Sequence, residues 1–299
     1  MNKDSMGGIF VIASSLCIVC SVVVSMAAVN LRPIQEENVK LDVKKNILSV
    51  AGLLDDPEKI NEIYDEKIAV KVVDIATGDY VDAADPATFD YKKAASDDQA
   101  GVAIPMKKDV ARIKRRPKQS LVYLVNDQDG LNQVILPVRG KGLWSTMIGF
   151  VSVDPTATFV KGLSFYAHAE TPGLGGEIDN PDWKAIWPGK KIYGDDGSVK
   201  LWVLKGAVIE GNPNQDYEVD GLSGATLTAR GVGYLIQYWL GDEGFKPYLT
   251  KLAANQETGE GQETGEGQET GEGQETGEGQ ETGEGQETGE NQGNQRSGG

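Results

Sequence analysis

Ser120-Leu121-Val122-Tyr123-Leu124-Val125-Asn126-Asp127-Gln128-Asp129-Gly130-Leu131-Asn132-Gln133-Val134-Ile135-Leu136-Pro137-Val138-Arg139 reads as two strands folded about a tight turn. Residues 120–126 and 133–139 are dominated by Val, Leu and Ile, and 127–130 supplies the aspartates and glycine that a hairpin favours. Further strands are expected near 68–75, 146–153 and 159–167. The last two follow the glycine-bearing turn Gly140-Lys141-Gly142-Leu143-Trp144. Residues 191–193 and 199–204 bracket Gly194-Asp195-Asp196-Gly197, a second hairpin signal. Helical spacing appears at Val43, Ile47, Val50, Ala51 and Leu54, and again at Leu227, Gly231, Tyr234, Leu235, Tyr238 and Trp239. A short amphipathic piece ends near Leu252. The pattern specifies an α+β fold, a curved antiparallel sheet with helices packed against it.

Outward from that core, Ile9 to Val29 is uncharged and apolar, roughly 31 Å long as a helix, which matches the hydrocarbon core of a bilayer. Its serines are tolerable there because a helical hydroxyl can bond back to its own backbone. Ser25-Met26-Ala27 resembles a cleavage site, but the run is long for a signal sequence and only Lys3 marks a positive region before it. We read 8–30 as a retained, single transmembrane anchor. Arg32, Lys40, Lys44 and Lys45 after the span place the C-terminal domain in the cytoplasm by the positive-inside count, a weak rule for large domains. Asp56-Pro57-Glu58 then has the form of a helix start.

Residues 34–255 form the soluble domain. Within it, 83–118 reads as a polar, irregular insertion with a basic cluster at Lys107, Lys108, Arg112, Lys114, Arg115, Arg116 and Lys118. A solvated face is the simpler reading of that cluster, and contact with lipid headgroups or a partner protein the alternative. From Gln256 to Gly299 the hexapeptide Gln-Glu-Thr-Gly-Glu-Gly repeats five times, with a sixth copy ending in Asn291. It offers no apolar side chain to bury and is expected to be a disordered acidic tail.

The formal net charge of −16 is carried largely by that tail, whose twelve Glu and one Arg leave only −5 for the rest. Nothing in that balance suggests nucleic acid. The two cysteines, Cys17 and Cys20, lie in the apolar run, and His168 is the one histidine. A disulfide framework or a His/Cys metal site is therefore not expected in the soluble part.

Candidate chemistry centres on Asp220-Gly221-Leu222-Ser223-Gly224-Ala225-Thr226-Leu227-Thr228-Ala229-Arg230. Small residues expose two hydroxyls, Ser223 and Thr226, where a turn opens into a helix, and unpaired N–H groups at such a start suit a phosphate. A nucleophile elbow requires Gly-x-Ser-x-Gly, whereas Gly221 to Ala225 misses it by one position, and His168 precedes Ser223 in the wrong order for an α/β-hydrolase. His168 and Glu170 share a strand face without necessarily touching, so a structural histidine at a strand end is the simpler reading. The loop Thr171-Pro172-Gly173-Leu174-Gly175-Gly176 lets backbone approach a flat ligand, with Leu174 against it. Trp144 suits one face of a planar ring, although a buried core Trp is the commoner fate. Together these loops suggest a planar, phosphorylated ligand. No NADH-binding glycine motif on a βαβ unit is present.

Asp220 to Thr226 resembles the flavinylation motif of the FMN-binding domain family. The wider pattern is similar to the C-subunit family of the Na⁺-translocating NADH:quinone reductases (Na⁺-NQR). It matches in the N-terminal anchor, Leu41 to Leu48 followed by Ala51-Gly52-Leu53, Gly140 to Ser145, His168 to Gly176, and Trp239-Leu240-Gly241. The resemblance spans about residues 8–252, with 83–118 and the tail outside it. It implies FMN joined by a phosphoester to Thr226, with Ser223, Gly224 and Ala225 giving tight surroundings. Trp144, Glu170, Thr171, Leu174 and Gly175 are the noncovalent flavin contacts it implies; a lysine near 200–205 also approaches the flavin, its identity open. No residue is implied to be catalytic and none to bind metal.

The function implied is electron transfer within a multi-subunit membrane complex that oxidises NADH, reduces quinone and exports Na⁺, with no activity of this chain alone. A dedicated flavin transferase, the other subunits and the lipid bilayer are the implied partners. The location implied is the bacterial inner membrane, with the domain on the periplasmic side, against the charge count. The equivalent flavin subunit of the ferredoxin:NAD⁺ (Rnf) complex shares Ser-Gly-Ala-Thr and Glu-Thr-Pro-Gly-Leu-Gly. A reading of another class is an anchored surface-binding protein without flavin.

Overall fold

The strands are β1 (Ile68–Asp74), β2 (Gly101–Ala103), β3 (Arg115–Pro117), β4 (Gln119–Asp127), β5 (Gly130–Lys141), β6 (Thr146–Val153), β7 (Val160–Ala167), β8 (Trp202–Val203) and β9 (Glu218–Val219). The helices are α1 (Met6–Ala51), α2 (Ile60–Lys67), α3 (Tyr91–Ser96), α4 (Pro181–Ala185), α5 (Thr226–Trp239) and α6 (Lys246–Thr258). They come from a computed structural model that describes residues 6–54, 56–82, 85–128 and 130–258.

The main sheet runs β1-β4-β5-β6-β7, every neighbour antiparallel, with the 120–139 hairpin at its centre. Register shifts at Val125/Asn126, Ile148/Gly149 and Ser152/Val153 are the bulges that bend such a sheet. Both faces are covered, so Gln133 to Leu136 are all buried and the simple in–out alternation is lost. On one face Val122, Leu124, Val134, Leu136, Val151 and Leu163 join a core with Val232, Leu235, Ile236 and Trp239 of α5 and Leu249 of α6. On the other, Tyr123, Val125, Ile135 and Phe150 meet Ile47, Leu48 and Val50 of α1 and Ile60 of α2. Each such side chain stabilises the fold by roughly 1.5–3 kcal/mol when fully buried. The α+β architecture agrees with the expectation from sequence.

Details differ from it. The two helical runs on either side of Pro33 form one 46-residue helix, α1. A proline in a helix interior costs about 3 kcal/mol; here the Arg32–Glu36 pair, 2.9 Å apart at i,i+4, spans it, and good helix formers follow. The apolar part of α1 is exposed on all sides and is long and apolar enough to cross a membrane. Ser15 and Ser21 hydroxyls donate to the carbonyls of Val11 and Cys17 at 2.8 and 2.7 Å, the back-bonding expected of serines in such a segment.

Residues 85–118 are not irregular. They hold α3 and the β2–β3 ladder, and they bury Ala111, Ile113 and Arg116. Charges surround these few apolar positions, so no period shows in the sequence. Leu227, counted with the apolar face of α5, is 56% exposed, and Thr228 and Ala229 face inward instead. The second hairpin contracts to one bridge, Tyr193↔Val199. The amides of Lys200 and Leu201 both bond Ile192 O, and the chain leaves to form the parallel pair β8–β9. The helix α6 takes in residues 256–258 at the start of the repeat. The rest of the tail, with its expected disorder, lies outside the described residues, as do Lys3, Asp55 and Asp129.

Candidate functional site

The turn before α5 is anchored at its first residue. Asp220 O accepts a 2.8 Å bond from Trp183 Nε1, and Asp220 Oδ1 accepts one of 2.7 Å from Val208 N. The Gly221 amide donates to Gly206 O at 2.9 Å, and a side chain at Gly221 would run into the backbone of Leu204 and Lys205. Leu222 is buried, and Gly224 at φ +71° closes the turn in a conformation that favours glycine. Helix α5 then begins with Ala225 as its N-cap and no side-chain cap bond. A Ser, Thr, Asp or Asn there is worth about 1 kcal/mol more than Ala. The absent cap leaves the first-turn amides for another acceptor.

The hydroxyls of this stretch have different surroundings. Ser223 is exposed, Thr226 is half-buried at the first helical position, and Thr228 is 1% exposed. Thr228 Oγ1 donates to Glu170 Oε2 at 2.6 Å. Thr226, two residues earlier, lies on the opposite side of the helix. It lines a small cleft with Trp202, Val203, Leu204, Lys205 and Arg230. Two cations, Lys205 and Arg230, therefore share this cleft with Thr226. Of the lysines left open by the sequence, Lys205 stands in this cleft, whereas Lys200 Nζ lies 4.4 Å over the Tyr217 ring. Arg230 was missed, although its i+4 spacing from Thr226 was legible.

Glu170 holds three segments together. Besides Thr228, its carboxylate accepts from the amides of Leu143 (3.2 Å), Trp144 (3.0 Å) and Ser145 (3.0 Å) and from Ser145 Oγ (3.3 Å). Burial alone would push its pKa up, but the bonds from Thr228 and the three amides outweigh that and hold it below the ordinary range. Gly142 and Gly175 make room for it: a Cβ at Gly142 would sit 2.5 Å from Glu170 Oε1, and one at Gly175 would sit 2.6 Å from Thr228 Oγ1. Glu170 and Gly175, both flavin contacts by resemblance, therefore also have interior partners that shape this loop.

Trp144 and Leu174 are 67% and 44% exposed. Glu170 presents Trp144 on its amide-bound loop. Leu174 reaches Gly224, its Cδ2 2.9 Å from where a Cβ there would stand. Thr171 is exposed; its carbonyl accepts from Leu174 N and Gly176 N, closing the loop about Gly173 at φ +74°. His168 is a satisfied structural residue. Its Nε2 lies 2.7 Å from Asp179 Oδ2 and its Nδ1 accepts from Glu170 N, so the ring proton is assigned to Nε2. Among the described residues no three His, Cys, Asp or Glu are grouped to hold a metal.

An uncapped helix start, a half-buried hydroxyl, Lys205 and Arg230 fit a phosphate, and exposed Trp144 and Leu174 fit a flat ring. Residues 142–241, which span this site, match the model of a family described as FMN-binding domain. The chain is 44% identical over 254 residues to the C-subunit of the Na(+)-translocating NADH-quinone reductase of Pseudomonas aeruginosa, covering 84% of this chain and 97% of that one. It is 46% identical to the corresponding C-subunit of Haemophilus ducreyi, with 85% and 96% covered. The fold is similar to the crystal structure of Shewanella oneidensis NqrC, with TM-score 0.65 at 34% identity over 71% of this chain and 96% of that one. The C-subunit from Parabacteroides distasonis gives TM-score 0.56 at 27% identity, with 74% and 96% covered.

Proposed function

The chain belongs to the C-subunit family of the Na⁺-translocating NADH-quinone reductases, and on that premise we propose that it carries FMN covalently, through a phosphoester on Thr226. It is an FMN-carrying, membrane-anchored subunit of a complex that couples NADH oxidation and quinone reduction to Na⁺ export. The observation that carries the attachment point is the contrast between two threonines. Thr226 is half-buried beside an uncapped helix start, Lys205 and Arg230, whereas Thr228 is buried and bonded to Glu170.

FMN, when bound, supplies the redox chemistry. The protein's own residues bind and orient it. The first-turn amides of α5, Lys205 and Arg230 hold phosphate charge, Ser223, Gly224 and Ala225 keep the approach open to a flavin transferase, and Trp144 and Leu174 cover the ring. The relatives matched support Na⁺-NQR and not the Rnf complex. A single span with the flavin domain on the periplasmic side completes the reading, with the remaining subunits of the complex as neighbours.

In-gel fluorescence tests it. Co-expressed with its flavin transferase, the denatured wild-type band should fluoresce under ultraviolet light, and Thr226→Val should be dark while melting like the wild type. A dark wild type would favour an anchored protein without covalent flavin. A fluorescent Thr226→Val would move the attachment to another residue.

A further inference from the structure

The basic loop between β2 and β3 stands at the end of the sheet from which α1 leaves. Going back along α1, Val50 O lies 2.6 Å from where a Cβ at Gly162 would stand. Next, Asn46 Oδ1 accepts from Ser164 Oγ at 2.9 Å, and Val43 lines one cavity with Tyr166. The helix therefore runs antiparallel to β7. Its apolar part projects past Ala167 and, on the neighbouring strands, past Thr146 and Lys141. The loop is fixed at that same end, because Lys141 N donates to Ala111 O at 2.9 Å.

Inner and outer residues alternate along it. Ala111 and Ile113 are buried, whereas Arg112 and Lys114 are exposed. These two hold φ of +55° and +64°, a region that residues other than glycine rarely adopt. Asp109 supports that backbone, its carboxylate accepting from the amides of Ile113 and Lys114 at 2.8 Å each. Strain of this kind collects at working surfaces. Lys108 pairs with Glu243, but among the described residues Lys107, Arg112 and Lys114 make no ion pair. Beside them Met106 is 94% exposed and Val110 40%. A solvated charge run has no use for bare apolar side chains, whereas cations interleaved with them suit an anionic lipid interface. The anchor keeps such an interface within reach at this end of the sheet.

We propose that residues 105–114 rest on the anionic phospholipid surface of the membrane that holds α1. Lys107, Arg112 and Lys114 meet lipid phosphates, and Met106 and Val110 enter among the headgroups. The loop is then a second point of attachment, which stops the domain from turning about the axis of α1. The surface is independent of the flavin reading, because it shares no residue with the cleft at Thr226. It requires only that α1 enters a bilayer.

The test is hydrogen exchange of the full-length chain in phosphatidylcholine nanodiscs, with and without phosphatidylglycerol. Amides of residues 106–114 should exchange severalfold more slowly when phosphatidylglycerol is present, and added salt should erase the difference by screening. Lys107→Gln, Arg112→Asn and Lys114→Asn together should abolish the protection with an unchanged melting midpoint, since Asn tolerates left-handed backbone. Met106→Ser should weaken it. If the triple variant does not fold, Lys107→Gln combined with Met106→Ser, which leaves the strained positions intact, decides. Exchange indifferent to phosphatidylglycerol, or protection that survives these substitutions, would overturn the proposal. Protection that appears only when the other subunits of the complex are present would overturn it too, and would assign the loop to a protein partner.

Discussion

Thr228 Oγ1 donates a 2.6 Å hydrogen bond to Glu170 Oε2, and the two side chains are 1% and 4% exposed. The bond joins the first turn of α5 to the loop that follows β7. Because Glu170 also accepts from the amides at 143, 144 and 145, one carboxylate sets the relative positions of three segments. It faces Thr228 inward, on the side of α5 away from the cleft that Thr226 lines.

Glu170→Gln is expected to destabilise the fold by about 2–3 kcal/mol. It replaces a buried charge acceptor with an amide whose N–H₂ group opposes backbone donors. Chemical denaturation measures the loss, and hydrogen exchange should locate it at residues 143–145. Thr228→Val should cost about 1–2 kcal/mol and leave flavin labelling of Thr226 in place. Equal stability for Glu170→Gln would mean that the carboxylate is not what holds the loop.

The pH dependence follows from the sign of the shift. The pKa of Glu170 is lowered in the folded protein from an ordinary value of 4.5. Its contribution is therefore fully present above about 4.5, the unfolded value, and is lost as pH falls through the lower folded value. Melting midpoints taken downward from pH 6 should fall more steeply below pH 4.5 for the wild type than for Glu170→Gln. Parallel curves for the two proteins would contradict the shift.

The sheet was legible because 120–139 combines apolar runs with turn chemistry, and 226–240 because glycines and bulky residues recur at helical spacing. Glu170 was legible only by resemblance, and its work was not. Its partners are backbone amides 25 to 27 residues away, which leave no mark in side-chain pattern. The order within residues 85–118 was not legible for a related reason. Ala111, Ile113 and Arg116 are buried by what packs over them, and Arg116 sits in a basic run that reads as solvated. Thr228 was passed over because Thr226 and Thr228 differ in orientation, not in kind.

Two glycines of one loop should respond differently to alanine. At Gly175 a Cβ would stand 2.6 Å from Thr228 Oγ1 and 3.0 Å from Glu170 Oε2. Gly175→Ala must displace that pair and is expected to cost about 2–3 kcal/mol. Gly173 has φ +74° with open space around it, so Gly173→Ala carries backbone strain alone, about 1 kcal/mol. Reversal of that order in denaturation experiments would remove the Glu170–Thr228 pair from its assigned role.

The other end of the molecule offers a test of how the anchor is joined to the sheet. Gln133, 8% exposed in β5, donates from Nε2 to Ala51 O at 2.8 Å and accepts from Ser152 Oγ at 2.5 Å. Ala51 is the last residue of α1, so its carbonyl is one of those that a helix leaves without an internal partner. Gln133→Met preserves the volume but strands that carbonyl and the Ser152 hydroxyl, and each loss costs roughly 1–3 kcal/mol. Gly52 at φ +72° and the Leu53 N to Leu48 O bond keep the helix end in place, so the protein should still fold. Exchange should accelerate at residues 48–54 and not across α5, because the lost bonds lie on the face opposite that helix. Uniform acceleration, or none, would show that Gln133 does not seat the anchor on the sheet.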